Sequence, residues 1–190
     1  MKDLKDILLE ASILDNAISE ASLLDIDDTL SVTSDDLRKD AIKKFLKEYY
    51  EITGLAYKLS DEPNSDNKFE VSAKSMVRIR PGKRKLLTQL TNGDFIWTKV
   101  GGGFDISHMP DLETLEGMPK EIGGSLWMNN CPKLKSLDGF PEKVGTEDKG
   151  SMIYIGRTGT PKFFKKADVM KVCKEPADGF IDDADYGPLG

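Results

Sequence analysis

Residues 102–144 contain two copies of one pattern, offset by 22 residues. In the first copy, apolar side chains stand at Phe104, Ile106, Met109, Leu112, Leu115, Met118 and Ile122. In the second they stand at Leu126, Met128, Cys131, Leu134, Leu137, Phe140 and Val144. The first two of each set lie two apart, which is one face of a short strand. The next four recur at every third residue, so the chain turns and returns with its apolar side still inward. Gly117-Met118-Pro119 and Gly139-Phe140-Pro141 close the two turns. A single copy cannot bury its own apolar face, so the copies must stack and the ends must be capped. A third, degenerate copy is predicted from Ser151, with Ile153 and Ile155 inward and Thr158, Pro161 and Phe164 following. A capping helix is predicted over residues 163–174, using Phe164, Ala167, Val169, Met170 and Val172.

The alternate strand positions line an exposed sheet face. These are Asp105, Ser107, Trp127, Asn129 and Tyr154, with Gly156 at the end. Exposed aromatic rings make large contacts at little entropic cost, so Trp127 beside Tyr154 is the best binding anchor. The competing reading is that N-terminal helices cover this face and bury both rings. Cys131 occupies an inward position, which predicts a structural thiol. His108 sits at the strand-to-turn corner, with Asn130 as its counterpart.

Upstream, Leu4, Ile7, Leu8, Ala11, Leu14, Ile18, Ala21 and Leu24 recur at helical spacing, opposite an acidic face. This segment is predicted to dock on its own domain or on a partner. Anionic lipid would repel it, so no membrane role is expected. A second helix is predicted after Thr33-Ser34-Asp35-Asp36, burying Leu37, Ala41, Phe45, Tyr49 and Ile52, with Arg38 and Lys39 on the exposed side. Ser60 to Asn67 is polar and turn-forming, and reads as a link. Beyond it, Phe69-Glu-Val-Ser-Ala73 and Met76-Val-Arg-Ile79 read as strands.

Charge is divided along the chain. Residues 1–68 carry 9 basic and 16 acidic side chains, and residues 69–174 carry 18 basic and 12 acidic. The last sixteen residues carry five acids and no base. Five of the basic residues, Arg78, Arg80, Lys83, Arg84 and Lys85, surround a Pro-Gly turn and are candidate phosphate contacts. No aromatic residue is interleaved with them, so a stacking platform for single strands is missing. Two cysteines and one histidine provide neither a disulfide framework nor a zinc quartet, and no metal or cofactor is expected. The Met-Lys-Asp-Leu-Lys-Asp start lacks the form of a secretory leader, which predicts a cytoplasmic protein.

Two resemblances bear on function. Asp25-Ile-Asp27-Asp28-Thr29, preceded by Leu23-Leu24, resembles the first motif of haloacid-dehalogenase-type phosphatases. There the first aspartate attacks phosphorus and the second is the acid/base, beside magnesium. The remainder of the chain departs from that family: no series of strand–helix units follows, and only Asp182-Asp183 could supply the later acidic motif.

The repeat Leu126-x-Met128-x-x-Cys131-x-x-Leu134-x-x-Leu137 resembles the leucine-rich-repeat class. Its closing Gly-x-Pro-x-x-Ile/Val-Gly is similar to divergent units in proteins of tailed bacteriophages and some bacteria. This resemblance implies an α+β fold: N-terminal helices, then a short leucine-rich-repeat-like β-solenoid of three to four coils with a C-terminal capping helix. The divisions expected are a helical region 1–58, a linker 59–68, the repeat domain 69–174 and an acidic tail 175–190. It also implies a non-enzymatic protein-interaction module with no catalytic residues. The partner would be a protein, bound through the repeat face or the N-terminal helix, in the host cytoplasm or the virion. Nucleic-acid binding through residues 78–85 is the first alternative, and a magnesium-dependent phosphatase using Asp25 and Asp27 is the second.

Overall fold

The computed structural model describes residues 32–53, 57–146, 150–159 and 162–181, and the described residues from 34 onward belong to one unit. The helix predicted over residues 4–24 and the Asp25-x-Asp27 motif lie outside the described residues.

Helix α1 (Ser34–Tyr49) begins with Asp35 and Asp36 in its first turn, where they complement the helix dipole, and has Lys47 in its last. It runs directly into β1 (Tyr50–Ile52). The strands that follow are β2 (Tyr57–Leu59), β3 (Phe69–Ala73), β4 (Val77–Ile79), β5 (Phe95–Val100) and β6 (Phe104–Asp105). After them come β7 (Glu121–Ile122), β8 (Leu126–Trp127), β9 (Lys143–Val144) and β10 (Met152–Tyr154). Helix α2 (Lys166–Val172) and β11 (Gly179–Ile181) complete the described chain. The first sheet has the order β1-β4-β6-β8-β10-β11, and the second β2-β3-β5-β7-β9. Only the β1–β4 and β2–β3 pairs are antiparallel.

This corrects the expected class. The molecule is α/β, with two helices among the described residues and two mixed, mostly parallel sheets of six and five strands. It is not α+β with a leucine-rich-repeat-like solenoid. Such a unit places one strand in one sheet, whereas each 22-residue copy here supplies a strand to both. Phe104–Asp105 and Leu126–Trp127 pair in the first sheet, and Glu121–Ile122 and Lys143–Val144 pair in the second. The last apolar residue of each copy, Ile122 or Val144, is therefore a strand residue rather than the end of a coil. Strands also reach into the segments expected as helical, linker or tail: β1 and β2 fall within 50–59, and β11 lies beyond 174.

The core joins the two sheets. The fourteen apolar positions of the two copies are all buried. They stack in register as Phe104–Leu126–Ile153 and, at the other sheet, Ile122–Val144. Met109 and Cys131 share a column with Thr158, which is buried. Thr158 donates to the Met128 carbonyl at 2.5 Å, and Cys131 Sγ reaches the Ile106 carbonyl at 3.3 Å. Each side chain thus satisfies a carbonyl of the preceding copy. At the β1 end, Trp97 meets Tyr50, Phe95 and Phe104 edge-on, with centroids 5.3–6.2 Å apart. Tyr50 donates to the Leu90 carbonyl at 2.5 Å, so the phenol is both buried and satisfied.

Helix α1 keeps the later part of the predicted stripe, since Phe45 and Tyr49, with Ile52 after them, pack against the core, but its first turns face outward. Ile42 and Leu46 are buried, whereas Leu37 is 50% exposed and Ala41 is exposed. Arg38 and Lys39 lie 5.0 and 5.5 Å over the Phe69 ring, and Arg38 also donates to the Asn67 carbonyl at 2.6 Å. Long cationic side chains cover apolar surface here, while their heads find partners. The polar link folds as well: Asn64 Oδ1 accepts from the amides of Asp66 and Lys68. In α2, Val169 is buried, but Met170 and Val172 point outward.

Candidate functional site

Strand register brings one residue from each strand of the first sheet onto a single row. Glu51 faces Arg78, Arg78 faces Asp105, and Asp105 faces Trp127. Trp127 faces Tyr154, which faces Ile181. The row is charged at one end and aromatic to aliphatic at the other. Its neighbours along the strands are small or polar: Gly103 and Ser125 before, Ser107, Asn129 and Gly156 after.

Trp127 and Tyr154 are both half-buried and stack with centroids 5.7 Å apart and planes 11° apart. One strand spacing of ~4.8 Å separates their backbones, so both rings lean to reach an offset stack. The indole occupies space that Gly103 leaves open, because a Cβ there would overlap its Cζ3 atom. Asn129 is half-exposed beside the pair.

The charged end is tied down. Glu51 accepts from Arg78 Nε at 2.9 Å, and the guanidinium holds its carboxyl below the usual carboxylate range. Arg84 reaches up from the turn after β4. Its Nη2 donates to Asp105 at 2.8 Å, Nη1 to the Ser107 carbonyl at 2.7 Å and to Ser107 Oγ at 2.9 Å, and Nε to the Ile79 carbonyl at 3.2 Å. Asp105 also accepts from Ser107 Oγ at 2.6 Å. Ser107, expected on the exposed face, is therefore only 6% exposed: it closes the pocket that Arg84 fills.

The basic turn does not converge on one phosphate site. Arg78 is paired with Glu51, Arg84 with Asp105, and Lys83 with Glu48 at 2.6 Å. Lys83 also lies 5.1 Å over the Tyr49 ring. Arg80 and Lys85 are exposed, and Lys85 belongs to a groove shared with His108 rather than to Arg78. The sequence could not foretell this dispersal, because Glu48, Glu51 and Asp105 come from three separate elements.

Neither cysteine is poised for chemistry. Burial pushes the Cys131 thiol up to about 12 and the Cys173 thiol up to about 11. Among the described residues, no group of three or more His, Cys, Asp or Glu side chains could hold a metal ion. Among the same residues, no helix is long and apolar enough to cross a membrane. Residues that the repeat pattern did not single out are Ile181, at the end of the row, and Arg84 in its locking role. The 22-residue offset contained a signal for a further column, His108–Asn130, whose third member is Arg157.

No protein-family model, no curated protein sequence and no solved structure matches this chain.

Proposed function

We propose that this chain is a protein-interaction module whose contact surface is the outer face of the six-stranded sheet. The observation that carries this reading is the half-buried Trp127–Tyr154 stack on a row bordered by small and polar residues. Interfaces draw most of their energy from a few aromatic or arginine anchors that become fully dehydrated on contact. Ser125, small and only partly buried, leaves room for a partner to approach the sheet beside the two rings. Asp105 and Arg84 neutralise each other and fix the border of the row in place, so the rings meet a partner from a rigid surface.

The reading of this protein as a virion-associated or host-interaction protein of a tailed phage, in the host cytoplasm or the particle, rests on the closing Gly-x-Pro-x-x-Ile/Val-Gly residues alone. Nucleic-acid binding through residues 78–85 has less support, because Arg78, Lys83 and Arg84 are each engaged with a carboxylate.

The test is quantitative affinity capture from cells that express the chain with its native neighbours. Wild type is compared with a Trp127→Ser/Tyr154→Ser double variant and with a truncation lacking residues 1–32. A partner lost from the double variant but kept by the truncation assigns docking to the sheet face. A partner lost only on truncation assigns it to the front segment and rejects the proposal.

A further inference from the structure

The outer face of the second sheet also carries one residue from each strand on a common row. Lys58 faces Ser72, Ser72 faces Lys99, Lys99 faces Glu121, and Glu121 faces Lys143, which bridges to Glu175. From Lys99 onward the signs alternate and each lysine has a carboxylate: Lys99 meets Glu121 at 2.6 Å, and Lys143 meets Glu175 at 2.5 Å. The alternation stops at Ser72. Beyond it stand Lys58, on the edge strand β2, and Lys74, two residues along the chain from Ser72. Among the described residues, neither of these two lysines is paired with a carboxylate.

Lys58, Ser72, Lys74 and Lys99 line a groove of about 420 Å³ that also takes in Tyr57 and Gly101. No acid lines it, in a chain of net charge −6. Lys74 is diagonal to Lys58 across the antiparallel β2–β3 pair, and diagonal positions stand about 7–8 Å apart, within reach of long side chains. Two ammonium groups this close repel each other, and an anion between them reverses the sign of that interaction. The backbone beneath them is fixed. Gly101 N–H donates to the Ala73 carbonyl at 2.8 Å, and a Cβ on Gly101 would overlap the Lys74 carbonyl. Ser72, half-buried, adds a hydroxyl donor between the two lysines. Glu70, the preceding outward residue of β3, lies on the other side of Ser72 from Lys74 and does not line the groove.

We propose that this groove binds a phosphomonoester dianion, held between the Lys58 and Lys74 ammonium groups with Ser72 Oγ donating to it. Two unpaired cations match the charge of nearly −2 that a phosphomonoester carries at neutral pH, and its three terminal oxygens accept from donors on different sides. Lys99 is not counted, because Glu121 already takes its charge. A carboxylate brings one negative charge to two lysines. A polynucleotide needs a longer basic track and stacking rings, whereas Tyr57 packs against the core. The site lies on the other sheet from the Trp127–Tyr154 row, and binding there does not depend on that row.

The experiment is an NMR titration of the full chain at constant ionic strength and about pH 8, where the phosphomonoester is fully ionised. It follows the lysine ε-methylene groups and the Ser72 amide. The probes are glycerol phosphate, the peptide Ac-Ala-phosphoserine-Ala-NH2, dimethyl phosphate and acetate. The expected result is saturable shifts at Lys58, Ser72 and Lys74 with either phosphomonoester, and at least tenfold weaker binding of the two monoanions. The tighter phosphomonoester identifies the source as a small molecule or a phosphorylated protein. Lys58→Gln/Lys74→Gln should weaken binding tenfold or more, and Ser72→Ala several-fold, with the thermal midpoint of the free protein unchanged or raised in the double variant. Equal binding of dimethyl phosphate, unchanged affinity in the double variant, or shifts that follow ionic strength without saturating would overturn the proposal.

Discussion

Gly103 makes room for Trp127: a side chain at residue 103 would collide with the indole that stacks on Tyr154. The two residues sit on neighbouring strands, so the pose of the ring depends on the absence of an atom in the preceding copy. Ser125 O also lies 3.0 Å from that vacant position, which leaves a methyl group nowhere to settle. Gly103→Ala is therefore expected to tilt the indole off Tyr154 and to destabilise the fold by about 1–3 kcal/mol, the usual cost of overpacking. Tryptophan near-ultraviolet circular dichroism and urea denaturation check both parts. An unchanged indole signal would contradict the arrangement.

Arg84 and Arg80 belong to the same basic turn but should behave differently. Arg84 and Asp105 have side chains only 11% and 16% exposed, and Arg84 donates four bonds. Removing it strands Asp105 with a buried charge, so Arg84→Ala should cost about 2–4 kcal/mol. Arg80→Ala, at an exposed site, should stay within about 0.5 kcal/mol. Urea midpoints at constant slope distinguish them.

The exposed pairs between copies should matter little. Lys133 meets Asp111 at 2.5 Å, and Lys135 meets Glu113. These long side chains are largely solvated, so Lys133→Ala or Lys135→Ala is expected to cost under about 1 kcal/mol and to lose even that at high salt.

Alkaline pH should weaken the fold through Cys131. Its folded thiol titrates at about 12, above the ordinary value of 9.0, because burial penalises the thiolate. As pH rises above 9.0, the unfolded chain releases the proton first and is favoured. Stability is thus full below that pH and falls as pH climbs toward 12. Cys131→Thr places at this position the residue type that position 158 already uses, and it removes the titration. Its stability should decline less than that of wild type between pH 9 and pH 11, as measured by chemical denaturation. Parallel declines would contradict the burial of this thiol.

The inward positions of the repeat were legible because each is fixed by a short-range rule: an apolar residue at a set distance after another. The two-sheet architecture was not, because strands as short as Glu121–Ile122 and Lys143–Val144 carry too little alternation to register as strands. The start of α1 departs from the predicted stripe because Arg38 and Lys39 cover Phe69, a role that charge alone disguises, whereas Phe45 and Tyr49 follow it. Of the candidate face, Trp127, Asn129 and Tyr154 followed from period two. The burial of Ser107 did not, since it depends on Arg84 arriving from 23 residues upstream. The dispersal of the basic turn has the same origin, because ion pairing is decided by tertiary neighbours.

The proposed docking of a protein partner on the Trp127–Tyr154 face is open to direct test. Its most direct measurement is the amount of each partner captured by wild type and by Trp127→Ser/Tyr154→Ser, with circular dichroism establishing that both are folded. Two aromatic anchors worth about 2 kcal/mol or more each predict a loss of at least tenfold for the genuine partner. Capture of the same proteins in equal amounts by the folded double variant would contradict the account.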